Sequence, residues 1–313
     1  MQTEAIVLTA PRQLAVERLS LVKLAPGDVL IDVEWCGVSS GTERLLWSGE
    51  MPPFPGMGYP LVPGYESVGR VIALGDKVEK SDLRIGDRVF APGSYSFEDA
   101  FCLFGGAARR LVVAAEKVRK IPDGLGQEGV LLALAATAHH ALKRGGIPDL
   151  IVGHGVLGRL LARLVQAHGA TPVVWERENC RRTGNFAYPL RTAETDPEAK
   201  YKVICDVSGD PKILDVLTRR LHRGGRVVLA GFYAAPVQFL FPPAFMAEAE
   251  FRIAAEWTPG DMDMVLSLID AGKLSLDGLI THSAPPKQAE SAYATAFEDA
   301  ECLKMVIDWR DAA

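Results

Sequence analysis

The chain has 313 residues, 48% hydrophobic and 23% charged, which is enough to bury a large core in two domains and excludes global disorder. A net charge of −5 with no basic run excludes a general polyanion binder, because releasing counterions from nucleic acid takes a basic surface. The five cysteines lack CxxC spacing and predict reduced thiols in the cytoplasm; the acidic N-terminus predicts no signal peptide, and no apolar run approaches the roughly 20 residues of a membrane span.

In the first third, short strands alternate with Gly and Pro turns. Val29, Ile31, Val33 and Trp35 alternate with Leu30, Asp32 and Glu34, the pattern of a half-buried antiparallel strand. Further strands are predicted at Ser67 to Ala73 and from Arg88, each next to a Gly-Asp turn. From Trp47 to Pro63, WSGEMPPFPGMGYPLVP is too rich in proline for a helix or a sheet interior and predicts a long exposed loop. The region reads as a small, partly closed β domain.

From about Gly129 the pattern changes to buried strands alternating with amphipathic helices, as in a parallel sheet covered on both faces. Strands are predicted at Leu150 to Val152, Pro172 to Trp175, Val203 to Val207 and Arg226 to Ala230. A helix from Asp261 to Ala271, a strand over Gly278 to His282 and a helix around Ser291 to Ala300 follow. The expected fold class is therefore α/β: a partly closed β domain of residues 1–125 and 272–313, plus a doubly wound Rossmann domain of residues 126–271.

The first predicted Rossmann strand runs into Gly153-His154-Gly155-Val156-Leu157-Gly158 and then a helix with one apolar stripe. Gly153 permits the turn, Gly155 lets a diphosphate approach the backbone, and Gly158 lets helix and strand pack closely. Glu176 ends the next strand at about the spacing, roughly 20 residues, of the acid that receives an adenosine ribose. Its carboxylate would repel a 2'-phosphate, so the expected cofactor is NAD, although Arg177, Arg181 and Arg182 stand nearby. Ser208, directly after the strand predicted at Val203 to Val207, completes the expected cofactor set.

CGVSSGTE at Cys36 to Glu43, PGYESVGRV at Pro63 to Val71, IGDRV, GHGVLG and RGGRVVLAG together resemble the medium-chain dehydrogenase/reductase superfamily over nearly the whole chain. The resemblance implies a GroES-like catalytic domain and a C-terminus that returns to it. Where zinc-dependent members carry ligands, this chain has Ser39, Tyr65 and, near the later cysteine, Ala133; only Glu66 persists. One carboxylate with hydroxyls does not compete for zinc, and with only Cys102 between Val89 and Arg110 a four-cysteine lobe is missing too, so no metal is expected. The run from Cys36 to Val71 narrows the resemblance to dehydrogenases of bacteriochlorophyllides. That implies NAD-dependent oxidation of a 3-(1-hydroxyethyl) substituent to 3-acetyl.

Without a Lewis acid, the alcohol proton must leave through side chains. Tyr65 is the first candidate, as a phenol whose pKa is lowered, with Glu66 to orient or tune it. Thr42, in the family's relay position, is the second, and His139 and His140 are the third. A planar macrocycle needs a wide apolar slot, for which Trp47, Met51, Phe54, Met57 and Tyr59 are one candidate wall and Phe241, Phe245 and Trp257 the other. A possible homodimer is a family expectation. Two rival readings stay open: a zinc-free quinone or enone reductase, which Glu176 disfavours, and an NAD-binding regulator that has lost catalysis.

Overall fold

The structure is a computed structural model and describes residues 1–78, 82–197 and 200–310. Two compact units emerge, Met1–Ala133 with Asp277–Ala313, and Leu134–Leu276.

The first unit opens with β1 (Gln2–Ala10), β2 (Gln13–Ser20) and β3 (Asp28–Val38), followed by helix α1 (Thr42–Ser48). Six short strands come next: β4 (Leu61–Pro63), β5 (Ser67–Leu74), β6 (Arg88–Ala91), β7 (Phe101–Leu103), β8 (Arg110–Ala114) and β9 (Arg119–Lys120). One four-stranded sheet runs β2-β1-β4-β7. In β3, which pairs with β5 and β8, Val29, Ile31 and Val33 are buried as predicted, and so is Leu30, which joins the same core cluster. The proline-rich segment is less exposed than expected. Met51 is buried with Leu8, Leu46, Leu61 and Leu103, while Trp47, Met57 and Tyr59 pack on that cluster and the Tyr59 hydroxyl donates to the Leu46 carbonyl at 2.5 Å. These apolar side chains make a satellite core that pins the loop, and its tip, Pro53 to Gly56 with Phe54, stays exposed.

The second unit is a parallel sheet with helices between its strands. In chain order it contains α2 (Leu132–Gly145), β10 (Leu150–Val152), α3 (Val156–Ala167), β11 (Val173–Trp175), α4 (Asn179–Arg182), β12 (Leu190–Arg191), β13 (Tyr201–Asp206) and α5 (Leu214–Arg219). Then come β14 (Leu221–Leu229), α6 (Phe241–Ala247), β15 (Glu250–Ile253) and α7 (Pro259–Asp270). The order β12-β11-β10-β13-β14-β15 reverses direction between β10 and β13, which is the doubly wound arrangement with its crevice at the carboxyl ends of those strands. Helix α3 buries Leu160, Leu161, Leu164 and Val165 as one stripe. It stops where Gly169, at φ +79°, returns its N–H to Gln166.

The C-terminal residues rejoin the first unit through β16 (His282–Ala284), α8 (Ala289–Glu298) and β17 (Met305–Asp308). The strand expected over Gly278 to His282 begins only at His282; Gly278 takes φ +69°, a turn conformation that interrupts pairing. β17 lies antiparallel to β3 and completes a seven-stranded sheet, β16-β17-β3-β5-β6-β9 with β8 on β3; neither sheet of this unit closes into a barrel. Among the described residues no helix is long and apolar enough to cross a membrane.

Candidate active site

Three loops meet at the carboxyl edge of the parallel sheet. Gly153, at φ +103°, turns the chain out of β10, and a Cβ on it would lie 3.2 Å from the Ser208 nitrogen in the loop after β13. A Cβ on Gly158 would sit 1.9 Å from the Gly153 carbonyl oxygen, so no other residue allows α3 to start this close to β10. At Gly155 only the Arg181 guanidinium comes near, 3.9 Å from where a Cβ would be, and the loop is open. Gly155 caps α3 without any side-chain hydrogen bond, so the first N–H groups of the helix, those of Val156 and Leu157 included, remain as donors for an anion. A dinucleotide fits this cradle.

Glu176 is buried, and both its oxygens accept from main-chain N–H groups, His154 at 2.9 Å and Glu178 at 2.8 Å. It ties the end of β11 to the glycine loop and carries a negative charge there. The His154 side chain does not face the cradle: its Nδ1 meets the Arg181 carbonyl at 2.8 Å and its Nε2 the Tyr188 hydroxyl at 2.7 Å. Burial pushes that imidazole down to about 4, so it is neutral, and it serves as a strut beneath the loop. Ser208 donates its N–H to the buried Asp206 at 3.0 Å, and Asp206 also accepts from the Tyr233 hydroxyl at 2.5 Å. Asp206, which the sequence reading passed over, sets the second loop as Glu176 sets the first.

At this same edge, the chain leaving β15 reaches Thr258 and α7. Asp261 is buried there and accepts from the Thr258 N–H at 2.8 Å, from His139 Nδ1 at 2.8 Å and from His140 Nδ1 at 2.9 Å. Burial alone would raise its pKa, but Thr258 and the two histidines hold the carboxyl well below the usual carboxylate range. Phe241 and Phe245 lie elsewhere. They are exposed on α6 and line a cavity of about 460 Å³ with Arg223 and Glu248, which precede or begin β14 and β15, so they sit at the amino edge, opposite the glycine loop. They form no wall beside a cofactor in that cradle.

In the first unit, Ser39 Oγ and the Tyr65 hydroxyl are 2.6 Å apart, and Thr42 lies near enough to favour the ionised phenol slightly. Burial and the negative charge of Glu66 raise the Tyr65 pKa. The expectation of a lowered phenol is thus reversed, with burial the larger cause, and Glu66, itself paired with a buried cation, tunes it in the opposite sense. That cation is Lys304. The two side chains are 0% and 2% exposed, and Lys304 Nζ also donates to the Val38 carbonyl at 3.2 Å. The contact is coulombic, and neither Glu66 oxygen has a well-angled hydrogen bond. Gly37 makes room for it: a Cβ there would lie 2.1 Å from Glu66 Oε2.

Glu43 adds a second buried acid, accepting from the Ser39 N–H at 3.1 Å and from the Tyr293 hydroxyl at 3.1 Å. Burial, reinforced by Glu66, pushes its carboxyl up to about 8. Cys36 is buried against the Trp309 indole, and burial pushes its thiol up to about 12, the behaviour of a core cysteine. Ala133 is buried in α2. Hydroxyls bonded to one another and a carboxylate facing an ammonium are a poor donor set for zinc. Among the described residues no group of three or more His, Cys, Asp or Glu is placed to hold a metal ion.

Residues 25–123 match the alcohol dehydrogenase GroES-like domain. The chain is 51% identical to the 2-desacetyl-2-hydroxyethyl bacteriochlorophyllide A dehydrogenase of Rhodobacter capsulatus over 100% of both chains. It belongs to that family of dehydrogenases, within the medium-chain dehydrogenase/reductase superfamily. The enzyme of the same description from Cereibacter sphaeroides is also 51% identical over 100% of both chains. An Escherichia coli CFT073 alcohol dehydrogenase solved with NADH shares the fold at a TM-score of 0.84 and 19% identity, covering 98% of this dehydrogenase and 99% of the other.

Proposed function

We propose that this dehydrogenase oxidises the 3-(1-hydroxyethyl) group of a bacteriochlorophyllide to 3-acetyl with NAD and without zinc. The observation that carries the reading is full-length identity of 51% to two dehydrogenases named for that substrate. The open glycine cradle supports a dinucleotide, and the buried Glu176 anion at the end of β11 supports NAD over its 2'-phosphorylated form. When bound, the nicotinamide supplies the hydride acceptor. Tyr65, kept protonated by its surroundings, serves as a hydrogen-bond donor and passes a proton only in concert with Ser39 and Thr42. Glu66 acts through its charge and its Lys304 partner, not as a base in contact with the phenol. His140 and His139, both held at Asp261, are the further candidates to take the proton.

The test mixes the protein, 3-(1-hydroxyethyl) bacteriochlorophyllide a and NAD or NADP while following the long-wavelength absorption band. Conjugation of a new acetyl group moves the band to the red, faster with NAD. No shift with either cofactor defeats the substrate assignment, and a faster shift with NADP defeats the cofactor assignment.

A further inference from the structure

Asp261 caps the start of α7 together with Thr258, and it also gathers His139 and His140, an arrangement that the cap itself does not need. Neighbouring residues of a helix point about 100° apart. Here both imidazoles nevertheless turn to one buried carboxylate, each through Nδ1, at 2.8 and 2.9 Å. An ionised carboxylate only accepts, so each Nδ1 carries the hydrogen, and in the neutral ring each Nε2 is left as a bare lone pair. Nε2 lies on the ring edge turned from Asp261, both histidine side chains keep some exposure at 16% and 14%, and no hydrogen bond engages either Nε2 among the described residues. Two tautomer-locked bases are therefore presented side by side.

Their place in the sheet says what they serve. Under the reading above, the adenosine ribose sits at Glu176 on β11 and the diphosphate at the glycine loop after β10, so the nicotinamide half extends over β13 and β14 towards β15. The loop from β15 delivers Asp261 to that same carboxyl edge, three strand spacings or about 14 Å from β10. That span is on the scale of an extended dinucleotide. We infer that His139 and His140, oriented by Asp261, form the proton acceptor for the substrate alcohol at the nicotinamide end of the cofactor. The carbinol carbon gives its hydride and both electrons to the nicotinamide, the hydroxyl proton passes to Nε2 of one imidazole, and the carbonyl is left. Asp261 is a positioning residue: it fixes the tautomers and stabilises the imidazolium that forms.

This inference rests on the proposed oxidation, so its test has an arm that needs no turnover. Protein labelled with 15N-histidine, its signals assigned through H139Q and H140Q, is titrated with NAD and separately with ADP-ribose. Both residues should show Nδ1–H with bare Nε2, and both should shift with NAD well beyond any shift with ADP-ribose, which lacks the nicotinamide. An Nε2–H tautomer, equal responses or no response to either ligand overturns the assignment. In turnover, the H139Q/H140Q double variant should lose about 10²- to 10⁴-fold in kcat with NAD affinity within threefold. A double variant within threefold of the wild-type kcat overturns it too, whereas a wild-type protein inert on the hydroxyethyl substrate refutes the proposed oxidation and leaves the titration to judge the histidines.

Discussion

Buried negative charge is handled in opposite ways in the two units. In the parallel-sheet unit, Glu176 and Asp206 are met by main-chain N–H groups of His154, Glu178 and Ser208, so each anion holds a loop in place. In the N-terminal unit, Glu66 faces one ammonium, Lys304, with no well-angled hydrogen bond, while burial favours the protonated form of Glu43 beside the Ser39 N–H and the Tyr293 hydroxyl. Main-chain donors cost nothing extra to bring, since the loop already carries them. An ammonium must be desolvated along with the carboxylate, and such a pair is weak support for stability but costly to split. The first kind of site can be read as binding geometry; the second couples protonation to folding.

The largest expected effect tests the geometric side. Gly158→Ala places a Cβ against the Gly153 carbonyl and should weaken dinucleotide binding more than 100-fold by titration calorimetry, about 2.7 kcal/mol or more; near-normal affinity would mean that the cradle relaxes easily. On the charged side, Lys304→Met strands a buried Glu66 and should cost about 3–5 kcal/mol in urea unfolding, while E66Q/K304M should recover most of it. Equal losses in the single and double variants would show that Lys304 acts through packing.

Glu176→Ala removes an anion and leaves two N–H groups without their acceptor. It should raise the KM for NAD about tenfold, in line with about 1–3 kcal/mol for such a loss, and narrow the preference over NADP. An unchanged ratio of the two cofactors would sink the ribose assignment. A test of a different kind, by pH, concerns Glu43. It holds its proton up to about 8 in the fold and releases it near 4.5 when unfolded, so the unfolded state binds fewer protons between those values. Stability therefore falls as pH rises through that window, and Glu43→Gln, which cannot ionise, should flatten the decline in urea midpoints measured at pH 5 and pH 8. An identical slope in both proteins would place the responsible group elsewhere.

The glycine loop, the strand before it and the amphipathic helix after it were legible because they are local: a turn, an N-terminus and a stripe repeat within a few residues. The missed residues share the opposite property. Tyr293 meets Glu43 across 250 positions, Lys304 meets Val38 across 266, and Asp261 meets His139 across 122. Asp261 stands after a Thr-Pro helix start, so its role as a cap was open to reading, but its two imidazole partners were not. Phe241 and Phe245 were placed near the substrate from their apolar character alone, which says nothing about which end of a sheet they occupy.

The sequence by itself determined the order of elements, the change from period two to alternating strands and helices, and the chemistry of the glycine cradle, because each depends on sterics or periodicity within one short segment. Only the tertiary structure decided which buried acid meets a cation, which way the Tyr65 pKa moves and which imidazoles share one buried carboxylate. Those outcomes depend on desolvation and on distances between residues far apart in the chain, and both exist only once the sheets have closed over them.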